Sequence, residues 1–150
     1  MMNLTRRTFL STLTVALASS YSVLARAAAW PSNQFNAKGL DDALSALTQK
    51  NSIASSDKIH LKVPAIAENG AVVPITVTTE LPNVSAISIL VEHNPTPLTS
   101  RFTFANNVEP FVSTRVKMAE TSRIVAVVES DDKYYSVERE IKVTIGGCGG

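Results

Sequence analysis

From Ile59 to Ile145 the chain reads as strand after strand, its apolar residues either alternating with polar ones or running continuously, and no helical period interrupts them. A chain patterned in this way buries its apolar faces by stacking one sheet on another. Ile59, Leu61 and Val63 alternate with Lys58, His60 and Lys62, and Asn69-Gly70 then predicts a tight hairpin turn. Val73, Ile75 and Val77 form the return strand, in which Pro74 asks for an edge position or a bulge. The run from Val84 to Val91 is apolar on both faces, as in a central strand, and Ile124 to Val128 is a second continuous apolar run. Between them, His93-Asn94-Pro95-Thr96-Pro97 breaks the pattern, Phe102 and Phe104 share one strand face, and Val112, Val116 and Met118 share another. Asp131-Asp132-Lys133 gives a turn, after which Tyr135, Val137, Ile141, Val143 and Ile145 alternate through the last strand.

Upstream of the strands, Ala37 to Gln49 places Leu40, Leu44 and Leu47 at i, i+4 and i+7, with Ala43 beside them and Asp41 and Asp42 turned away. That spacing predicts one short amphipathic helix whose stripe packs on a core, and polar Asn51 to Ser56 reads as a loop. The expected fold is mainly β: an immunoglobulin-like antiparallel β-sandwich of about seven strands with one short N-terminal helix and a flexible C-terminal arm.

The first 29 residues belong to a different class. Thr5-Arg6-Arg7-Thr8-Phe9-Leu10 is followed by a weakly apolar, Ser/Thr-studded run to Leu24 and by the small-residue cleavage patterns Ala25-Arg26-Ala27 and Ala27-Ala28-Ala29. Arg6 and Arg7 mark a twin-arginine export signal, so the expected division is signal peptide 1–29, β-sandwich domain 30–145 and arm 146–150. Removing the signal takes away Arg6, Arg7 and Arg26 and no acid; 14 basic against 13 acidic residues become 11 against 13, and the formal charge goes from +1 to −2. This balance speaks against a nucleic-acid partner, and no membrane anchoring is expected after cleavage. The expected compartment is the periplasm. The twin-arginine route carries folded cargo, and with no cofactor motif in sight the expected reason is a co-exported partner subunit.

The chemistry concentrates in Gly146-Gly147-Cys148-Gly149-Gly150. Cys148 is the chain's one cysteine, so any disulfide it forms is to another molecule. Four glycines leave the surrounding backbone without side chains to pack, and from Ile145 the thiol can extend at most about 10 Å. Nothing in the arm activates it. The nearest cation in sequence is Lys142, and a self-contained cysteine enzyme keeps a base within hydrogen-bond reach of its nucleophile. A tethered carrier whose partners supply the chemistry fits better. Two other readings stay open: a structural or interaction subunit of the periplasm that forms an intermolecular disulfide through Cys148, and an enzyme that uses Cys148 as its nucleophile.

Other constellations are thin. His60 and His93, with one cysteine, are too few and too far apart for a zinc or copper site with protein ligands alone. No nucleophile elbow, Walker A loop or dinucleotide fingerprint occurs. The pairs Asp41/Asp42 and Asp131/Asp132 read as a helix face and a turn, while a carboxylate dyad assembled from distant strands is left open by the sequence.

The twin-arginine segment, the small β domain, the Asn94-Pro95-Thr96-Pro97-Leu98 stretch before a Phe-x-Phe strand and the terminal Gly-Gly-Cys-Gly-Gly together resemble the SoxY family, sulfur-carrier subunits of the periplasmic thiosulfate-oxidising Sox system. The resemblance spans essentially the whole chain, and the pentapeptide is its specific part. It implies a carrier that is a cosubstrate and not an enzyme, without cofactor, whose Cys148 bears covalent sulfur adducts on an arm made of Gly146, Gly147, Gly149 and Gly150. It also implies a heterodimer with a SoxZ-like subunit. The further implied partners are a haem c-type thiosulfate-conjugating enzyme, a manganese hydrolase that releases sulfate and, in some systems, a sulfane dehydrogenase.

Overall fold

Alternating apolar residues have to find two sheets to lie between, and they do. In a computed structural model, which describes residues 31–105 and 108–144, the elements run α1 (Ser32–Phe35), α2 (Leu40–Thr48), β1 (Ile53–Ser55), β2 (Ile59–Lys62), β3 (Ile66–Ala67), β4 (Val73–Thr79), β5 (Val84–Val91), β6 (Leu98–Thr103), β7 (Phe111–Val116), β8 (Ser122–Ser130) and β9 (Lys133–Val143). The expected export signal with Arg6 and Arg7, and the expected arm 146–150 with Cys148, lie outside the described residues.

The larger sheet has the order β1-β9-β8-β5-β6, with β3 also on β9, and the smaller has the order β2-β4-β7. The result is an immunoglobulin-like β-sandwich. Its core is made by the inward residues of both sheets, among them Ile75, Val77, Ile87, Ile89, Ile124, Val128 and Ile141, all essentially inaccessible to water. Each such side chain contributes about 1.5–3 kcal/mol by leaving water.

A second apolar layer explains why two strands read as apolar on both faces. Leu90 on β5, Leu98 on β6, Val125 and Val127 on β8 and Tyr134 on β9 point away from the partner sheet and meet Ala43 and Leu47 of α2. The leucine stripe of the helix is therefore core, and Asp41 and Asp42 stay exposed. After Thr48 the chain leaves the helix through left-handed Gln49 and Lys50, and the Lys50 N–H closes on the Ser45 carbonyl at 3.0 Å.

The expectation of about seven strands is corrected to nine among the described residues. The two extra are β1, in the stretch read as a loop, and β3, and both pair parallel to β9, so the larger sheet is not purely antiparallel. The helical region also gains the single turn α1. Asn69-Gly70 is not the tip of a two-residue hairpin. β2 and β4 do pair antiparallel, from Ile59↔Thr79 to Lys62↔Thr76, but the connection runs through residues 63–72 and carries β3. Asn69 does form a turn, accepting from the Ala71 N–H at its side chain and from the Val72 N–H at its carbonyl. Gly70 has no positive φ. The β8–β9 turn behaves as read: Ser130↔Lys133 brackets Asp131-Asp132, both with positive φ, the conformation that two-residue hairpins require. Pro74 lies in the central strand of its sheet, yet β2 reaches only to Thr76, so at Pro74 the strand is paired on the β7 side alone.

Candidate functional site

Cys148 and its glycines lie outside the described residues, so the site is built from the last described residue before them. That residue is Thr144, just past β9. The end of β9 is gripped along both of its edges. On one edge, β3 pairs Ile66↔Lys142 and Ala67↔Val143; the Lys142 N–H donates to Ala65 O and the Thr144 N–H to Ala67 O, each at 3.1 Å. On the other, Thr121 Oγ1 accepts from the Val143 N–H at 3.0 Å.

The segment after β7 joins these grips to the rest of the fold. Met118 donates its N–H to Gly70 O at 2.7 Å, and Gly70 packs directly against both Met118 and Val143. A Cβ at Gly70 would sit 2.6 Å from Met118 O and 2.9 Å from Val143 Cγ1, closer than atoms approach. Glycine is required there by close approach and not by a turn. Gly70→Ala is expected to destabilise the domain by about 1–3 kcal/mol, the usual cost of overpacking, and to lower Tm by several degrees. Thermal unfolding checks it, and an unchanged Tm would show that the contact relaxes freely.

Asn94 acts as a clasp on the same loop: its Nδ2 donates to Lys117 O at 2.7 Å and its Oδ1 accepts from the Ala119 N–H at 3.1 Å. This gives the Asn94-Pro95-Thr96-Pro97 stretch a physical role. It holds the loop that holds the root of the arm. His93 adds to the clasp through its N–H to Ser122 Oγ at 3.0 Å and its Nδ1–H to Thr121 O at 3.1 Å. His60 is far from it in function, an exposed side chain 3.3 Å from Glu80 on the smaller sheet. The described residues bring no three His, Cys, Asp or Glu side chains together in a group able to hold a metal ion.

Next to His93, Arg123 donates two hydrogen bonds to Glu92 at 2.7 and 2.8 Å and one to Glu138 at 3.2 Å. The Arg123 hydrogen bond, followed by its charge and that of His93, outweighs partial burial and holds the Glu92 carboxyl below the usual carboxylate range. Arg123 in turn holds its proton more tightly than usual, through the same bond and both carboxylates. A carboxyl whose value is lower in the folded chain than in the unfolded one stabilises the fold above the unfolded value, and that stabilisation is lost as pH falls through the folded one. Glu92→Gln is therefore expected to lower Tm slightly at pH 7 and to lose its difference from the parent as the solution is taken below pH 4. Parallel pH–Tm curves for the two proteins would contradict this. The carboxylate pairs Asp41/Asp42 and Asp131/Asp132 lie, as read, in the first turn of α2 and in the β8–β9 turn, where Asn83 Nδ2 donates to Asp131 Oδ1 at 2.9 Å.

Most of the residues that grip the root were not singled out in the sequence; His93, Asn94, Met118 and the Asn69-Gly70 pair were. Thr121 acts through its hydroxyl and Ala65, Ala67 and Thr144 through backbone groups, which leave no compositional trace. The cation nearest to the arm in sequence, Lys142, is exposed and has no ion-pair partner among the described residues.

Comparison with known proteins gives the family. The family described as sulfur oxidation protein SoxY matches residues 44–148, a span that takes in most of the sandwich and ends on Cys148. The chain belongs to the SoxY family. Among solved structures, the sulfur carrier protein SoxY from Chlorobium limicola f thiosulfatophilum is 43% identical, with a TM-score of 0.65 over 71% of this chain and 96% of that one. The superoxide reductase (neelaredoxin) from Ignicoccus hospitalis is 18% identical, with a TM-score of 0.52 over 58% of this chain and 80% of that one, a likeness of fold alone. No curated protein matches the chain. Membership of the SoxY family gives the protein a role in sulfur oxidation, among the partners of a Sox system.

Proposed function

We propose that the chain is a covalent carrier: Cys148 takes up thiosulfate, and the arm presents the adduct to a succession of enzymes. Conjugation joins Sγ of Cys148 to the outer sulfur of thiosulfate. One S–S bond forms, the thiol proton is released, and two electrons pass to a haem c-type enzyme, leaving Cys–S–S–SO3⁻. Water then attacks the sulfonate sulfur in a manganese hydrolase; sulfate and two protons leave, and a persulfide stays on Cys148. In systems that contain one, a sulfane dehydrogenase takes the remaining sulfur further.

The observation that carries the reading is that the SoxY match runs to the chain's single thiol. The root supports it mechanically, because a thiol offered to several enzymes needs a firm base, and the chain is bonded there to Ala67 through Thr144 and to Thr121 through Val143. Tethering keeps labile sulfur from exchange and over-oxidation and delivers it at high local concentration. The carrier works as a heterodimer with a SoxZ-like subunit in the periplasm, where the twin-arginine signal delivers both. Arg6→Lys together with Arg7→Lys is expected to keep the two proteins in the cytoplasm. A partner that still reached the periplasm at parental level would contradict joint export.

A stoichiometry experiment separates a carrier from an enzyme. The purified chain with its partner subunit is expected to consume no thiosulfate alone, and, with the haem enzyme and an electron acceptor, one equivalent per Cys148 before stopping. Continued turnover by the chain alone would make it an enzyme; a permanent disulfide-linked dimer that takes up nothing would make it a structural subunit.

A further inference from the structure

Resting on the carrier reading, we propose that the outer face of the smaller sheet is a cationic docking surface, on which the carrier meets an acidic surface of the enzymes that load and unload it. This is the sheet that does not contain β9. Strict alternation builds the face. β2, β4 and β7 turn every second residue into the sandwich, so the residues between them point the other way. Strand register sets His60 beside Thr78 and Phe111, Lys62 beside Thr76 and Ser113, and Pro74 beside Arg115. Lys58 and Lys117 follow the same alternation just outside β2 and β7, and both are exposed. The outer face of the larger sheet is packed under α2, whereas here His60, Lys62, Pro74, Phe111, Ser113 and Arg115 stay exposed.

The charge on this face runs against the charge of the chain. Between residues 31 and 144 acids outnumber bases by 13 to 11, yet Lys58, Lys62, Arg115 and Lys117 share one side of one sheet. Its acids, Glu80 and Glu109, lie at the end where β7 begins, and Glu80 is 3.3 Å from His60. On the larger sheet Arg101 is paired with Glu129, and Arg123 with Glu92 and Glu138. The four cations of the smaller sheet have no ion-pair partner among the described residues. Between them runs a strip of short, neutral side chains, Pro74, Thr76, Thr78 and Ser113, with one large apolar residue, Phe111, 54% exposed. A permanent subunit interface asks for a more apolar centre than this. A polar face with one aromatic anchor and unpaired cations suits a contact that forms and parts, because complementary charge speeds encounter without fixing the complex. A carrier that visits several enzymes in turn needs that kind of contact. The fitting occupant is therefore an acidic enzyme surface.

The test uses the complete exported carrier with its partner subunit, as the parent and as the double variant Lys62→Glu, Arg115→Glu. A control, Lys38→Glu with Lys133→Glu, makes the same change in net charge just before α2 and at the start of β9. Loading of Cys148 by the haem enzyme is followed by intact mass from about 0.01 to 1 M salt, over which the screening length falls from about 30 to 3 Å. At low salt the face variant is expected to lose tenfold or more in kcat/KM with kcat within about twofold, since the face acts on encounter and not on the chemistry. Parent and variant should converge as salt rises, while the control stays within about twofold of the parent throughout. Tm and the rate of alkylation by a small reagent should match the parent. The milder Lys62→Gln, Arg115→Gln variant should fall between, and it carries the test if the glutamates disturb folding. Parental loading that does not change with salt overturns the docking face, and so does a control as impaired as the face variant. Loss of the partner subunit from the variant also overturns it, by making this face an interface within the carrier. If the parent takes up no sulfur at any salt, the carrier reading itself has failed, and the docking face falls with it.

Discussion

A Cys148→Ser chain is expected to fold, to keep its partner subunit and to carry no sulfur whatever. Among the described residues the sandwich core and the layer under α2 extend no further than Val143, and Cys148 is four residues beyond Thr144. A serine hydroxyl forms no S–S bond, and the chain contains no second cysteine to take over. In a reconstituted system of carrier, haem enzyme and hydrolase, sulfate release should fall to background, a loss far beyond any effect of stability. Sulfate formed at even a tenth of the parental rate would mean that sulfur travels by some route other than this thiol.

The second large effect is expected at the glycines on either side. If partner enzymes close around the arm, Gly147 and Gly149 have to allow tight backbone approach and φ values that other residues adopt only under strain. Gly147→Val or Gly149→Val should leave Tm and chemical alkylation of Cys148 unchanged. Enzymatic loading should fall by an order of magnitude or more, because a β-branched side chain held off its preferred backbone region costs roughly 1–3 kcal/mol. A stiffened arm should load slowly even at saturating carrier concentration. Parental loading of both valine variants would reduce the glycines to a spacer.

Much of this was legible in the sequence where the physics is local. Period-two alternation gave β2, β4, β7 and β9, continuous apolar runs gave β5 and β8, and Asp131-Asp132 gave the turn between the last two strands, because side-chain pattern and turn chemistry are properties of a few adjacent residues. The short parallel strands were not legible. Ile53–Ser55 and Ile66–Ala67 are strands only because the edge of β9 offers them partners, and three or two residues carry no period of their own. Asn69-Gly70 shows the same limit from the other side. It has the composition of a hairpin turn, but Gly70 is set by the distant Met118 and Val143. The doubly apolar runs announced cover on both faces without saying that α2 supplies one of them. For the site, Cys148 could be found from composition alone, while the root that makes the arm's length a constraint rests on backbone bonds and the Thr121 hydroxyl.

The most direct measurement of the central claim is the intact mass of the natively exported protein, taken from cells oxidising thiosulfate, before and after reduction. The account predicts additions of sulfur or thiosulfonate size, confined to the peptide containing Cys148 and removed by reductant. A bare-thiol mass during active thiosulfate oxidation would contradict it.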